Sequence, residues 1–321
     1  MRVARAVRPR RATIACAASL AIVGVAATAM AAGPGTITRY HGKAISGPGA
    51  ITLGADKAIW FSNDSNSLGR ITVKGKMKAF KSSKIDDPRG LVAGPDGAIW
   101  FVNFGDNGIG RMAKNGKVKI YHHKGIVGAE SIAVGPHKTM WFTTEGSKIG
   151  RITTKGKITM FHNKGVSDPQ GIAEGPDGAM WFTNYYANGV GRVTSKGKFT
   201  FYREQEIAAG PLSITAGPGG LWFTNEDGTI GRVTTAGVFT IFGAKSDDYP
   251  GGIAAGPDHA VWWVNENGDS VGRITPAGAI TTYTAKSVDY PFAIAKGHDK
   301  SMWFTNYDNS SVDRIITSKS K

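Results

Sequence analysis

The sequence predicts an all-β protein: a seven-bladed β-propeller with four antiparallel strands per blade and a ring closed by an N-terminal strand. Three observations predict it: a tryptophan repeat, four short strand-like runs within each repeat, and a last repeat that lacks its fourth run. The tryptophans recur every 40 or 41 residues, at Trp60, Trp100, Trp141, Trp181, Trp222, Trp262 and Trp303. A fixed period of this length is typical of repeat architectures.

Two further features recur with the same period as the tryptophans. An aromatic residue precedes each of them by 20 positions, at Tyr40, Phe80, Tyr121, Phe161, Tyr202, Phe242 and Tyr283. A Gly-Arg or Asp-Arg pair follows each, ending at Arg70, Arg111, Arg151, Arg192, Arg232, Arg273 and Arg314. We expect the tryptophans to pack between blades and the arginines to bond to the neighbouring blade.

Each repeat contains four short apolar or alternating runs, which in the second repeat are RGLVAG, AIWFVN, GIGRMA and KVKIYH. Turn-forming residues such as GPDG and KNG separate them, as expected for strands joined by hairpins. Four strands in about 40 residues match one propeller blade.

The two ends of the repeat region complement one another. The seventh repeat stops after SVDRIIT, whereas residues 35–41, GTITRYH, match the fourth run of the other repeats. We expect this N-terminal strand to complete the seventh blade, which removes the exposed sheet edges of an open ring.

The first 31 residues differ from the repeats. Five arginines precede an apolar stretch that is rich in small residues and ends at Ala29-Met30-Ala31. This predicts a signal peptide over residues 1–31 and a single propeller domain over residues 32–321. The protein is then secreted or periplasmic, by the general secretory or the twin-arginine route, and monomeric. Cys16, the one cysteine, lies in the signal peptide, and no second apolar run has transmembrane length.

The formal net charge is +15, and the charges are unevenly placed. Lysines crowd the turns between third and fourth strands of the first four repeats: Lys74, Lys76, Lys78, Lys114, Lys117, Lys119, Lys155, Lys157, Lys196 and Lys198. Acidic residues occupy the loops between second and third strands, which leave a blade at its opposite end. The lysines serve either solubility or docking on an anionic cell envelope. Nucleic acid is not an expected partner, because no nucleic-acid-binding motif is present.

Ligands of propellers bind at the channel mouth, which the fourth-to-first and second-to-third loops surround. Within the repeated loop frame, the residues that vary are Arg89, Glu130, Gln170, Ser213, Gly251 and Phe292. Aromatic residues accompany them: Phe104, Tyr185, Tyr186, Tyr290 and Tyr307. We predict a ligand site formed by Arg89, Glu130, Gln170, Tyr185, Tyr186, Phe292 and Tyr307. Its chemistry suits a cyclic peptide or a glycan, and drift in unused loops is the alternative.

Other recurring residues have a structural interpretation. The second-to-third loops open with an asparagine in six repeats, and asparagine readily bonds backbone groups in turns. The histidines show no metal-ligand spacing and fall outside the mouth loops, and no nucleophile motif occurs. The sequence therefore predicts no metal and no cofactor.

The frame P-x-G-I-x-x-G-P-D-G-A-x-W-F-T-N … I-G-R-I-T-x-x-G-K-I-T-x-F resembles the virginiamycin B lyase, or streptogramin lyase, family across all seven repeats. The resemblance implies a seven-bladed propeller. It also implies an enzyme that opens a cyclic depsipeptide antibiotic at its ester C–O bond by elimination, with a magnesium ion and a general base. The implied catalytic residues are a His after the proline of the sixth repeat, and a Glu before and a His after the proline of the seventh.

At these three positions the chain has Gly251, Tyr290 and Phe292. Elimination needs a base to remove a proton and a group to stabilise the developing anion, and glycine and phenylalanine supply neither. Three hypotheses remain. One is a non-catalytic binder of an extracellular or envelope ligand. The second is an enzyme with a relocated site in which Glu130 is the base and Arg89 stabilises the anion: a C–O lyase, in which magnesium takes part, or a hydrolase-like sugar or lactone enzyme. The third is a purely structural role.

Overall fold

A computed structural model of the protein describes residues 33–203, 210–243, 246 and 248–318. The predicted signal peptide lies outside these residues. Almost all of the described chain is strand or turn, apart from three single-turn 3₁₀ helices at Phe104–Asp106, Pro136–Lys138 and Tyr185–Ala187. Among the described residues, no helix is long and apolar enough to cross a membrane.

The strands form seven four-stranded antiparallel sheets, which confirms the predicted propeller. The chain begins with β1 (Ile37–His41). The first strands of the seven blades are β2 (Pro48–Leu53), β6 (Pro88–Ala93), β10 (Ala129–Gly135), β14 (Pro169–Glu174), β18 (Pro211–Gly217), β22 (Pro250–Ala255) and β26 (Pro291–Lys296). The second strands are β3 (Ile59–Asn63), β7 (Ile99–Asn103), β11 (Thr139–Thr144), β15 (Met180–Asn184), β19 (Gly220–Asn225), β23 (Val261–Asn265) and β27 (Ser301–Asn306).

The third strands are β4 (Ser67–Ile71), β8 (Gly108–Met112), β12 (Lys148–Thr153), β16 (Gly189–Val193), β20 (Ile230–Val233), β24 (Ser270–Ile274) and β28 (Ser311–Ile316). The fourth strands are β5 (Met77–Lys81), β9 (Val118–His122), β13 (Ile158–His162), β17 (Phe199–Arg203), β21 (Phe239–Phe242) and β25 (Ile280–Thr284). First strands of neighbouring blades contact one another around the whole ring, so they line the channel.

The N-terminal strand closes the ring, as the sequence predicts. β1 pairs antiparallel with β28, with Ile37 opposite Ile315 and His41 opposite Ser311. Tyr40 stacks on Trp303 with 5.1 Å between ring centroids. β1 therefore supplies both the backbone pairing and the aromatic side chain that the fourth strands supply elsewhere.

The tryptophans pack between blades, as expected. Trp100 is fully buried and lies in one apolar cluster with Ile132 and Phe142 of the next blade. It also stacks on Tyr121 of its own fourth strand at 5.6 Å. Each blade interface repeats this arrangement, so apolar burial around the ring is the main stabilising contribution.

The arginine prediction is wrong for most of the set. Five of the arginines pair instead with an aspartate in the first-to-second turn of their own blade, at N–O distances of 2.6–2.7 Å: Arg70 with Asp56, Arg111 with Asp96, Arg192 with Asp177, Arg273 with Asp258 and Arg314 with Asp299. Among the hydrogen bonds between described residues, the two that join this set to the next blade come from Arg151 and Arg232, which donate to the carbonyl oxygens of Ser195 and Pro276. Their own turns read GPHK and GPGG, without the aspartate.

The seventh blade has one internal substitution. In the other six blades a glycine on the third strand lies beneath a buried aromatic ring; Gly110 beneath Phe101 is one example. The seventh blade has Asp313 opposite Phe304 at this place, and Asp313 is fully buried. Burial raises the pKa of the Asp313 carboxyl to about 6, although Ser287, Ser311, Arg39 and Asn306 lower it.

Candidate functional site

The mouth is the end of the channel where the fourth-to-first and second-to-third loops meet. Three of the six loop asparagines hold these loops together through backbone groups, as their structural interpretation predicts, whereas Asn225 and Asn265 bond to side chains of their own blades. Asn103 accepts a hydrogen bond from the backbone N–H of Asp86 at 2.9 Å and donates one to the carbonyl of Lys84. Asn63 and Asn184 make the equivalent bonds. The mouth loops are thus fixed to their own blades before any ligand is present.

A β-bulge shapes every first strand at the mouth, because the register shifts within the first four residues of each one. The residue after the opening position is the one that varies: Gly49, Arg89, Glu130, Gln170, Leu212, Gly251 and Phe292. Leu212, and not Ser213, takes this place in the fifth blade. Ser213 aligns with Gly90 because the opening residue is Pro211. Bulges re-aim side chains at the rims of β-structures, and here they define the variable positions.

Several of the bulges are held by the hydroxyl group of a threonine that lies on the preceding blade. Thr224 accepts a hydrogen bond from the Ser213 N–H at 3.1 Å and donates one to the carbonyl of Gly251 at 3.0 Å. Thr143, Thr183 and Thr305 likewise donate to the carbonyls of Gln170, Leu212 and Gly49. Valine occupies the equivalent places 102 and 264, before the bulges of Glu130 and Phe292.

Arg89 and Glu130 form an ion pair across the second and third blades. Nη1 of Arg89 donates to Oε1 of Glu130 at 2.5 Å, and Nη2 donates to Asp87 at 3.1 Å. The guanidinium carbon lies 3.3 Å from the ring centroid of Phe104. Desolvation raises the pKa of Glu130 above its usual range, while Arg89 opposes the rise and Glu145 and Asp87 add to it. Arg89 and Glu130 are thus an ion pair with two further carboxylates, those of Asp87 and Glu145, nearby.

The acidic environment continues into the fourth blade. Asp168 bonds to the side chain of Gln170, and its pKa is raised by burial and further by the charge of Glu145. The charge of Glu145 also raises the pKa of Glu130. Gln170 therefore bonds to a carboxylate of its own blade.

A second group of side chains spans the fourth, fifth and sixth blades. The hydroxyl of Tyr185 donates to Oε2 of Glu226 at 2.7 Å. Burial raises the pKa of Tyr249 to about 12, and the charges of Glu226 and Glu266 contribute. Burial and Glu226 raise the pKa of Tyr185 as well. Both phenols are therefore hydrogen-bond donors at neutral pH.

The positions that match the implied catalytic residues are closely surrounded. A Cβ at Gly251 would meet the carboxylate of Glu266, which is buried. Tyr290 has a φ of 48°, and its backbone N–H donates to Asp269 of the preceding blade at 2.9 Å. Its ring lies edge-on to Tyr307 at 6.4 Å between centroids. Each position is thus integrated into the local packing of the mouth.

The structure brings only some of the residues of the predicted ligand site into contact with one another. Arg89 and Glu130 pair directly, and Tyr185 contacts Tyr186, whose side chain is 58% exposed. Phe292 borders Gly49 of the first blade. Sequence reasoning missed Tyr249, although it precedes Pro250 as Asp87 precedes Pro88. It also missed the specific partners, each of which lies 41 residues away on the next blade.

Fold and mouth together define a seven-bladed propeller whose variable bulge residues surround one end of the channel. The sequence model of the virginiamycin B lyase family matches residues 20–163 and 123–320. Because these matches span the propeller, the chain belongs to the virginiamycin B lyase family.

Solved structures agree with this assignment. One described as a streptogramin B lyase has 30% sequence identity and a TM-score of 0.81, and the match covers 87% of this chain and 97% of that chain. Selenomethionine-substituted virginiamycin B lyase from Staphylococcus aureus has 29% identity and a TM-score of 0.80, covering 88% and 99%. A catalytically inactive form of the Staphylococcus aureus enzyme with quinupristin has 30% identity and a TM-score of 0.80, covering 88% and 99%.

Magnesium, which the family resemblance implies, does not fit the residues at the matching positions. Mg²⁺ is held by carboxylates and other oxygen ligands in near-octahedral geometry. Tyr290 stands where the family has a glutamate, and Phe292 and Gly251 bring no ligand atom. Within the part of the chain that the structure describes, no three His, Cys, Asp or Glu residues are placed to hold a metal ion.

Proposed function

We propose that the protein is a secreted member of the virginiamycin B lyase family that binds an extracellular or envelope ligand at the mouth without catalysis. The observation that carries the proposal is Gly251. This position not only lacks the family's histidine; the carboxylate of Glu266 fills the space next to its Cα, so a side chain there would displace it. Tyr290 and Phe292 bring no base either, so none of the three matching positions supplies the group that abstracts a proton in the family's enzymes.

The chemistry of the mouth supports a peptide or glycan ligand. Tyr185, Tyr186 and Tyr249 present phenol rings and hydroxyls, which suit both peptide rings and sugar faces. The carboxylates of Glu226 and Glu266 lie close enough to Tyr249 to raise its pKa. Because carboxylates predominate and Arg89 is already paired, this surface favours a neutral or positively charged ligand over a polyanion.

Export and a monomeric state complete the proposal. They are supported by the arginine-led apolar segment over residues 1–31 and by a ring that closes within one chain.

The second candidate is a C–O lyase, or a related hydrolase-like enzyme, with a relocated site. The Arg89–Glu130 pair favours it, because burial raises the pKa of Glu130 toward the range of a general base. Against it, Glu130 is held at 2.5 Å by Arg89, which reduces its basicity.

The first experiment separates binder from enzyme. Purified protein is incubated with a streptogramin B-type cyclic depsipeptide and magnesium, and the products are separated by reversed-phase chromatography with mass spectrometry. Elimination leaves the mass unchanged and shifts the retention time, whereas hydrolysis adds one water. We expect the ring to remain intact. Ring opening that Glu130→Gln abolishes would overturn the binding-only proposal and establish the relocated site.

The second experiment tests the mouth as the binding surface. A panel of cyclic depsipeptides and peptidoglycan and glycan fragments is screened by calorimetry with the wild type, Tyr185→Ala and Phe292→Ala. We expect each variant to weaken binding of the selected ligand at least about 10-fold, the effect of losing one aromatic anchor. Val238→Ala, at the opposite end of the propeller, is the control. Unchanged affinity in both mouth variants would exclude the mouth.

A further inference from the structure

The end of the propeller opposite the mouth carries a regular set of lysines. The six turns between third and fourth strands share one geometry, in which a glycine with φ between 79° and 93° donates its N–H to the carbonyl three residues earlier. In the first four blades the residue after this glycine is a lysine: Lys76, Lys117, Lys157 and Lys198. Lys74, Lys155 and Lys196 precede it in three of these blades. All seven are exposed.

These lysines carry charge that the surrounding residues do not neutralise. The aspartates at this end lie in the first-to-second turns and are engaged by arginines, as in the Arg111–Asp96 pair at 2.7 Å. The ion pairs formed between described residues involve arginines and one histidine, and none involves a lysine. The arginines therefore neutralise the turn aspartates and leave the lysines positively charged, with the exposed Glu174 as a further acid at this end.

The fifth and sixth blades have apolar residues at the same turn positions. Ala236 and Val238 replace the two lysines in the fifth blade, and Ala277 and Ala279 replace them in the sixth. Val238 is 62% exposed, and the neighbouring Ile280 is 41% exposed. Equivalent positions of a closed ring lie in one plane around its axis. The turn lysines of the first four blades and the apolar turn residues of the fifth and sixth blades therefore share one surface.

The chain also enters the propeller at this surface. Gly35 has a φ of 85° and donates its N–H to the carbonyl of Ile316 at 2.8 Å, so it takes the place of the turn glycine in the seventh blade. The first described residues, 33–35, thus lie at the end of the propeller that carries the turn lysines (the lysine end) and not at the mouth.

From this arrangement we propose that the lysine end docks on an anionic lipid bilayer, with the mouth facing away from it. A planar array of point charges fits a planar array of phosphates, and each lysine near such a surface adds to the attraction. Exposed valine and isoleucine side chains beside the lysines can enter the headgroup region. The proposal concerns a different surface from the mouth and holds or fails independently of the ligand there.

The test is sedimentation with vesicles of phosphatidylcholine, with or without phosphatidylglycerol, at low and high salt. The wild type is expected to sediment only with anionic vesicles and to be released by salt. Changing Lys76, Lys117, Lys157 and Lys198 together to Gln should weaken vesicle binding more than about 10-fold. Changing Val238 and Ile280 to Ser should weaken it less and leave the salt dependence intact.

The chain offers a matched control in the exposed lysines of the mouth-end loops: Lys43, Lys84, Lys124 and Lys164. Changing these four to Gln removes the same charge from the other end and should leave vesicle binding within about twofold. An equal loss in both quadruple variants would reduce the effect to net charge and overturn the proposal. Binding of soluble polyphosphate without vesicle sedimentation would also overturn it, in favour of a polymer partner.

Discussion

At the scale of single residues, the mouth is held by hydroxyl and amide side chains that repeat from blade to blade. Thr143, Thr183 and Thr224 each satisfy one N–H on their own blade and one carbonyl on the next. These bonds position the bulge residue, so the variable side chains project from a backbone that is already fixed. Such pre-organisation reduces the ordering cost of binding.

Replacing Thr224 with valine removes both of its hydrogen bonds while keeping the side-chain volume. Because Thr224 is fully buried, we expect a loss of about 1–3 kcal/mol in the free energy of unfolding. Urea unfolding followed by tryptophan fluorescence measures it. Thr200→Val, on the outermost strand β17, is the control and should change stability by less than about 0.5 kcal/mol. Equal losses in the two variants would refute the role given to the bridging hydroxyl.

At the scale of one element, the seventh blade differs from its six copies in carrying a buried carboxylate. Asp313 stands opposite Arg39 of the closing strand and opposite Phe304 of β27. The other blades place glycine there, so the ring of the opposing aromatic can lie flat on the strand. A charge at this place is unfavourable in the folded state, and its neighbours Ser287, Ser311, Asn306 and Arg39 do not offset the burial.

The pH dependence of stability follows from Asp313. Its pKa is about 6 in the folded state against 3.8 for the free group, so the folded chain holds a proton that the unfolded chain releases between these values. The free energy of unfolding therefore falls as pH rises through this window and levels off above it. Thermal unfolding of wild type and Asp313→Asn between pH 4 and pH 7.5 measures the difference. The variant should gain relative stability toward neutral pH, and a constant difference would contradict the assignment.

At the scale of the whole molecule, stability depends on closing the ring with β1, since the described blades contain no cysteine. Without β1, strand β28 becomes an exposed edge and Trp303 loses its stacking partner Tyr40. An exposed edge strand also promotes association. The closure therefore contributes to both the stability and the monomeric state that we propose.

A protein that begins at residue 42 should lose more than about 3 kcal/mol of stability, because it loses the half-buried Tyr40 side chain together with the backbone pairing of β1 with β28, and should form oligomers. Calorimetry and size-exclusion chromatography measure these two effects. A synthetic peptide of residues 33–43 should restore the monomer and raise Tm by pairing with β28, and a scrambled peptide should not. An unchanged Tm in the shortened protein would show that β1 does not close the ring.

The number of blades, the order of the strands and the closing strand could all be predicted from the sequence alone. Tryptophan spacing, strand alternation and hairpin turns are local features that each repeat carries complete, so they can be counted without a structure. The partners at the mouth could be found only in the folded structure: Arg89 with Glu130, Tyr185 with Glu226, and Glu266 against Gly251. These contacts join different blades or different strands at a β-bulge, where the direction of a side chain depends on the local kink and on the rotation between blades.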